Sequence, residues 1–174
     1  MGASTELIDI QSPGAFEQQV EQLVQSLPRP RPLHGYRQIL LAYDGSPGAR
    51  AALDRAAAVA TDYSQLTVIT VIPFESIGAS PDPIKPELRT WQWNCLAEAT
   101  ALLEQRGVRA FIEAAAGNPA AVIHEVAQTL AADLVVLGRG HNRWWQPTLK
   151  RRSIRRPLIR ALDCDALVVA PHSA

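Results

Sequence analysis

From Arg37 onwards the chain alternates short apolar runs with longer amphipathic or alanine-rich ones. ILLAY (Ile39–Tyr43) is apolar throughout, the pattern of a strand covered on both faces. In the following DGSPGARAALDRAAAVA, Ser46 can cap a helix, Pro47 suits its first turn, and alanines carry it to about Ala60. LTVITVI (Leu66–Ile72) is rich in β-branched residues and predicts a second strand. Pro81 and Pro83 make the stretch from Pro73 to Pro86 a loop. ELRTWQWNCLAEATALLEQRG predicts a helix that ends at Gly107, and VRAFIEAA a third strand. Asn118 caps a helix over AAVIHEVAQTLAA, DLVVLG is a fourth strand, and ALVVA (Ala166–Ala170) a fifth. Five strands alternating with four helices, with no tight hairpin signal, imply right-handed crossovers and a parallel sheet. Ligands of such sheets sit at the carboxyl ends of strands where the strand order reverses. The loops after Tyr43, Ile72 and Leu137 are therefore the ones to inspect.

The first 35 residues follow another rhythm. Ser12-Pro13 is a helix start, and Phe16, Val20, Leu23, Val24 and Leu27 line up as one apolar stripe. Pro28 stops that helix, and PRPRP (Pro28–Pro32) reads as a stiff, extended connector. The expected organisation is an extension over 1–35, with an amphipathic helix and a Pro/Arg linker, followed by an α/β domain over 36–174. The helix either packs on its own domain or docks on a partner.

Charge changes the picture locally. Lys plus Arg equals Asp plus Glu at 17 each among 174 residues, yet eight of the bases fall between Arg139 and Arg160 without one acid. The remainder carries −8, so the charge is segregated and suggests a local anion site. Zero net charge and the lack of a nucleic-acid-binding motif argue against nucleic acid as the partner. Cys95 and Cys164 have neither metal spacing nor the look of a disulfide framework. With no basic-then-apolar leader and no apolar run approaching ~20 residues, the expectation is a soluble protein of a reducing cytoplasm.

Few residues are placed for chemistry. Asp44, at the end of the first strand, can accept a ribose hydroxyl or help to hold magnesium; equally, it can serve only to cap the following helix. Gly138-Arg139-Gly140-His141 ends the fourth strand, where glycines let a backbone approach a ligand and free amides form an anion nest. Ser153 can cap the helix leading to Leu162, and helix starts attract phosphate. Trp144 and Trp145 interrupt the basic segment and suit an interface, since tryptophan and arginine are both enriched at binding hot spots. His34, His124, His141 and His172 lack metal-ligand spacing, and neither Ser46 nor Ser153 has an evident base beside it. The reading is not an enzyme; one acid beside phosphate would support at most slow ATP hydrolysis.

ILLAYDGS, VITVIPF, GNPAAVIHEVA before ADLVVLGRG, and ALVVAP together resemble the universal stress proteins, over Arg37 to Pro171. The resemblance implies a flavodoxin-like, Rossmann-like fold: a five-stranded parallel sheet in the order 3-2-1-4-5, sandwiched by helices, here with an extra N-terminal helix. It implies a homodimer joined through the last strand, Ala166–Ala170. It also implies ATP or a related adenine nucleotide, with Mg2+, in members that carry a Gly-x2-Gly-x9-Gly-(Ser/Thr) loop; members without the loop bind none. Carried over, Ala42, Tyr43 and Asp44 would contact ribose and adenine, and Val71 or Ile72 would line the adenine pocket. Gly138 matches the first motif glycine and is followed by Arg139, Gly140 and His141; Arg152, Ser153, Ile154 and Arg155 lie at the far end of the loop.

The loop departs from the family pattern. Strict spacing from Gly138 puts His141 at the second glycine and Arg151 at the third; counting back from DALVVA puts Arg152-Ser153 at the Gly-Ser pair. Either way an arginine replaces the third glycine, at a cost of ~1–2 kcal/mol if that position has positive φ. Pro157, four residues beyond Ser153, and its effect on Arg156 move the expected helix start nearer Pro157. Arg139, Lys150, Arg151, Arg152, Arg155 and Arg156 can supply by side chain what the glycine loop supplies by amides. Two functions stay open. One is a nucleotide-responsive regulator with an Arg-rich phosphate loop; the other is a dimeric interaction module that binds a protein partner through Arg139–Arg160 and the N-terminal helix.

Overall fold

Strands β1 (Gln38–Ala42), β2 (Gln65–Pro73), β3 (Ala110–Gly117), β4 (Leu134–Gly138) and β5 (Asp165–Val169) form one sheet in the order 3-2-1-4-5, every neighbouring pair parallel. The computed structural model describes residues 35–73, 84–139 and 155–171, all within the compact unit Leu33–Ala174. The amphipathic stretch Phe16–Leu27, the Pro28–Pro32 connector and the prolines Pro81 and Pro83 lie outside the described residues. Helices α1 (Pro47–Val59), α2 (Pro86–Glu104), α3 (Pro119–Thr129) and α4 (Arg155–Ala161) connect the strands. None of the helices among the described residues is long and apolar enough to cross a membrane.

Strand parity divides the core into two layers. Ile39 and Leu41 of β1, Leu66 and Val68 of β2, and Leu134 and Val136 of β4 pack under α1 and α2. Residues of the opposite parity, Leu40, Ile69, Val135 and Leu137, pack under Ile123 of α3 and Leu158 of α4. Both faces of the central strands are thus covered, which is why their sequences show continuous apolar runs.

The helix starts follow the capping chemistry. The Ser46 hydroxyl accepts from the Ala49 amide at 3.1 Å, and Asn118 Oδ1 accepts from the amides of Ala120 and Ala121 at 3.0 and 3.2 Å. The ends differ from expectation. α2 stops at Glu104, because Gly107 at φ +73° lets the Val108 amide turn back to the Leu103 carbonyl (3.0 Å). α3 ends at Thr129 rather than running to Ala132, since Ala131 adopts φ +48° and turns the chain into β4. α4 is described from Arg155 to Ala161 and contains Pro157.

Candidate functional site

At the switch point β1 lies beside β4, Ala42 in register with Leu137, while β4 pairs on its other side with β5, Gly138 with Val169. The chain leaves β1 through a tight turn. Gly45 has φ +73°, the Asp44 carboxylate accepts from the Ser46 amide at 3.0 Å, and Ser46 then caps α1. Asp44 therefore holds the turn that starts α1. At the end of β4 the Arg139 amide donates to the Val169 carbonyl, and the Arg139 side chain is exposed.

The sheet separates the four residues expected around an adenine. Ala42 and Val71 are partly exposed on the α3/α4 face. Tyr43 and Ile72 point the other way and are enclosed beneath α1 and α2, at 2% and 0% exposure. Of the pair Val71 and Ile72, only Val71 has side-chain surface to offer a ligand. Tyr43 contributes its backbone to the fold: its amide donates to Ile69 (2.9 Å) and its carbonyl accepts from the Thr70 hydroxyl (2.8 Å). Gly140, His141, Trp144, Trp145, Lys150, Arg151, Arg152, Ser153 and Ile154 lie outside the described residues. Arg155 opens α4, and Arg156 is exposed on its first turn.

Gly138 has a packing role that its sequence position did not reveal. A β-carbon built on it would overlap the backbone of Gly48 and Ala49, and one built on Gly48 would fall 2.5 Å from the Arg139 carbonyl oxygen. The start of α1 and the end of β4 meet backbone to backbone, and two glycines make this possible. This contact fixes the Asp44 turn against the first residues of the basic segment. Gly48 gave a signal: glycine is a poor helix former, and in the first turn of an alanine-rich helix it calls for a reason.

Beneath the turn lies a polar group that the sequence reading missed. Arg50 donates to Glu98 at 2.7 Å, and both lie close to the buried Tyr43 hydroxyl. Burial, reinforced by Glu98, raises the Tyr43 pKa. Burial, with the charges of Asp44 and Glu98, pushes the Cys95 thiol up to about 12. Cys95 is thus a neutral thiol packed under Gly45, not a nucleophile. Gln92, buried on α2, donates to the carbonyls of Thr70 (2.7 Å) and Ala115 (2.8 Å), tying α2 to β2 and β3. Among the described residues, no three His, Cys, Asp or Glu side chains gather as metal ligands would.

The floor offered to a ligand is therefore small and apolar, with a carboxylate turn and a bare backbone at one end.

Residues 35–170 match the sequence profile described as the universal stress protein family. None of the curated proteins matches the chain. Among solved structures, a universal stress protein family member from Burkholderia pseudomallei is 24% identical, with a TM-score of 0.58, covering 79% of this chain and 97% of its own. A universal stress protein in complex with cAMP is 21% identical, with a TM-score of 0.60 and coverages of 79% and 99%. A family protein from Arabidopsis thaliana with AMP bound is 13% identical, with a TM-score of 0.59 and coverages of 79% and 93%.

Proposed function

The chain belongs to the universal stress protein family, and we propose that it is a cytoplasmic regulator that binds ATP or a related adenine nucleotide at the switch point of its sheet. The observation that carries this reading is the joint placement of Ala42, Val71, Asp44 and Gly138. Two partly exposed apolar side chains lie on one face at the carboxyl ends of β1 and β2, with the Asp44 carboxylate and the Gly138 backbone beside them. Adenine would rest on Ala42 and Val71, and Asp44 would meet the ribose or a nucleotide-bound Mg2+. The arginines between Arg139 and Arg156 would take the phosphates, a role suited to the guanidinium fork. Gly140, His141, Arg152, Ser153, Ile154 and Arg155 belong to the same proposed loop. The cAMP and AMP found with the two relatives support an adenine nucleotide as the ligand class. The proposed protein acts by binding rather than catalysis, as a homodimer joined through β5.

One observation favours a second reading, an interaction module that binds no nucleotide. The Gly48–Gly138 contact accounts for Gly138, the one retained motif glycine, without any ligand. In that reading Arg139–Arg160 contacts acidic groups of a protein partner.

Calorimetry with Mg-ATP separates the two if it compares the parent with Asp44→Ala and Asp44→Asn. Asparagine keeps an oxygen for the Ser46 amide, so the turn survives while the charge is lost. The nucleotide reading expects binding to weaken about tenfold or more in both variants, and stability to fall only in Asp44→Ala. Tight binding unchanged by both substitutions would refute the placement at Asp44. No binding at millimolar Mg-ATP would leave the interaction module as the better account.

A further inference from the structure

The sheet has two outer edges, and β3 forms the one remote from β5. Edge strands are ordinarily guarded by lysine, proline or a bulge. AFIEAAAG has no lysine or proline and only one charge, Glu113, and Phe111 and Ile112 are 65% and 47% exposed, one on each face. The facing can be read from the packing. Val108, Ala110 and Ala116 rest against the α1/α2 layer, and Ala115 against the other. Arg109, Phe111 and Glu113 therefore share the α3/α4 face, and all three are exposed. Neither Arg109 nor Glu113 is in an ion pair among the described residues.

We propose that β3 pairs antiparallel with β3 of a second copy about a two-fold axis at Phe111. The charge pattern selects this partner and this register. When Phe111 lies opposite its own copy, Arg109 of each strand falls opposite Glu113 of the other. Two ion pairs then flank a stacked aromatic pair on one face, while Ile112 meets Ala110 on the other. A strand placed parallel sets like charges side by side, which is disfavoured. The contact is isologous and, taken by itself, closes with two chains. It is distinct from the β5 contact of the proposed function and needs no nucleotide, so that reading can fail without affecting it.

The test is cysteine cross-linking of the full chain. Opposed residues of an antiparallel pair have Cα atoms about 4.5 or 5.5 Å apart, both within disulfide reach. Phe111→Cys is expected to give a disulfide-linked dimer joined at residue 111 under mild oxidation. The parent, with its own Cys95 and Cys164, supplies the background. Ile112→Cys is expected to stay at that background, because it faces residue 110 of the other strand and lies two residues from its own copy. In the Phe111→Cys chain at low ionic strength, adding Glu113→Arg should slow cross-linking about tenfold, and adding Arg109→Glu as well should restore it. Cross-linking of Phe111→Cys no faster than the parent overturns the proposal. So does a Glu113→Arg effect that the charge swap fails to reverse.

Discussion

Gly48 stands second in α1, yet a β-carbon there would meet the Arg139 carbonyl oxygen at 2.5 Å. Gly48→Ala and Gly138→Ala should therefore each destabilise the protein by about 1–3 kcal/mol without any nucleotide present. Denaturant titration would check this; a stabilised Gly48→Ala, as helix propensity alone expects, would show the contact to be slack. Cys95 belongs to the same scale. Its pKa rises from 9.0 to about 12 on folding, so above pH 9 the unfolded chain sheds a proton that the folded chain retains. Stability is complete below pH 9 and declines as the pH climbs towards 12; Tyr43 acts in the same direction. The melting temperature should fall over that range, and less steeply in Cys95→Ala. An equal slope in parent and variant would show that burial does not shift the thiol.

At the scale of elements, the starts were legible and the facing was not. Ser46-Pro47 and Asn118-Pro119 announce α1 and α3, because a short polar acceptor before a proline has few other uses. Ser46→Ala should cost about 0.5–2 kcal/mol in thermal or chemical unfolding. A change within error would mean that the cap bond contributes nothing. The facing of Val71 and Ile72 was hidden for a physical reason. A strand covered on both faces carries no apolar–polar alternation, so its sequence does not say which residue meets α2 and which the ligand face. The Gly48–Gly138 contact was hidden as well, since it joins residues ninety positions apart.

For the whole molecule, the order 3-2-1-4-5 followed from the family resemblance, and the sheet bears it out. That order brings the Asp44 turn beside Gly138 and leaves β5, with Ala166 exposed, as an edge strand among the described residues. Val168→Pro removes a backbone donor there and should shift the proposed β5 dimer towards monomer in light scattering. A parent already monomeric at tens of micromolar, roughly the range for a modest interface, would contradict β5 pairing. The central claim is that the basic segment replaces a glycine loop as the phosphate grip. Its most direct test is Mg-ATP calorimetry at low and high salt on the parent and on the variant with Arg151, Arg152, Arg155 and Arg156 all changed to glutamine. The account predicts that the parent binds in a salt-sensitive way and that the variant binds more weakly, with much of that sensitivity gone. Equal affinity and equal salt response in the two proteins would contradict it.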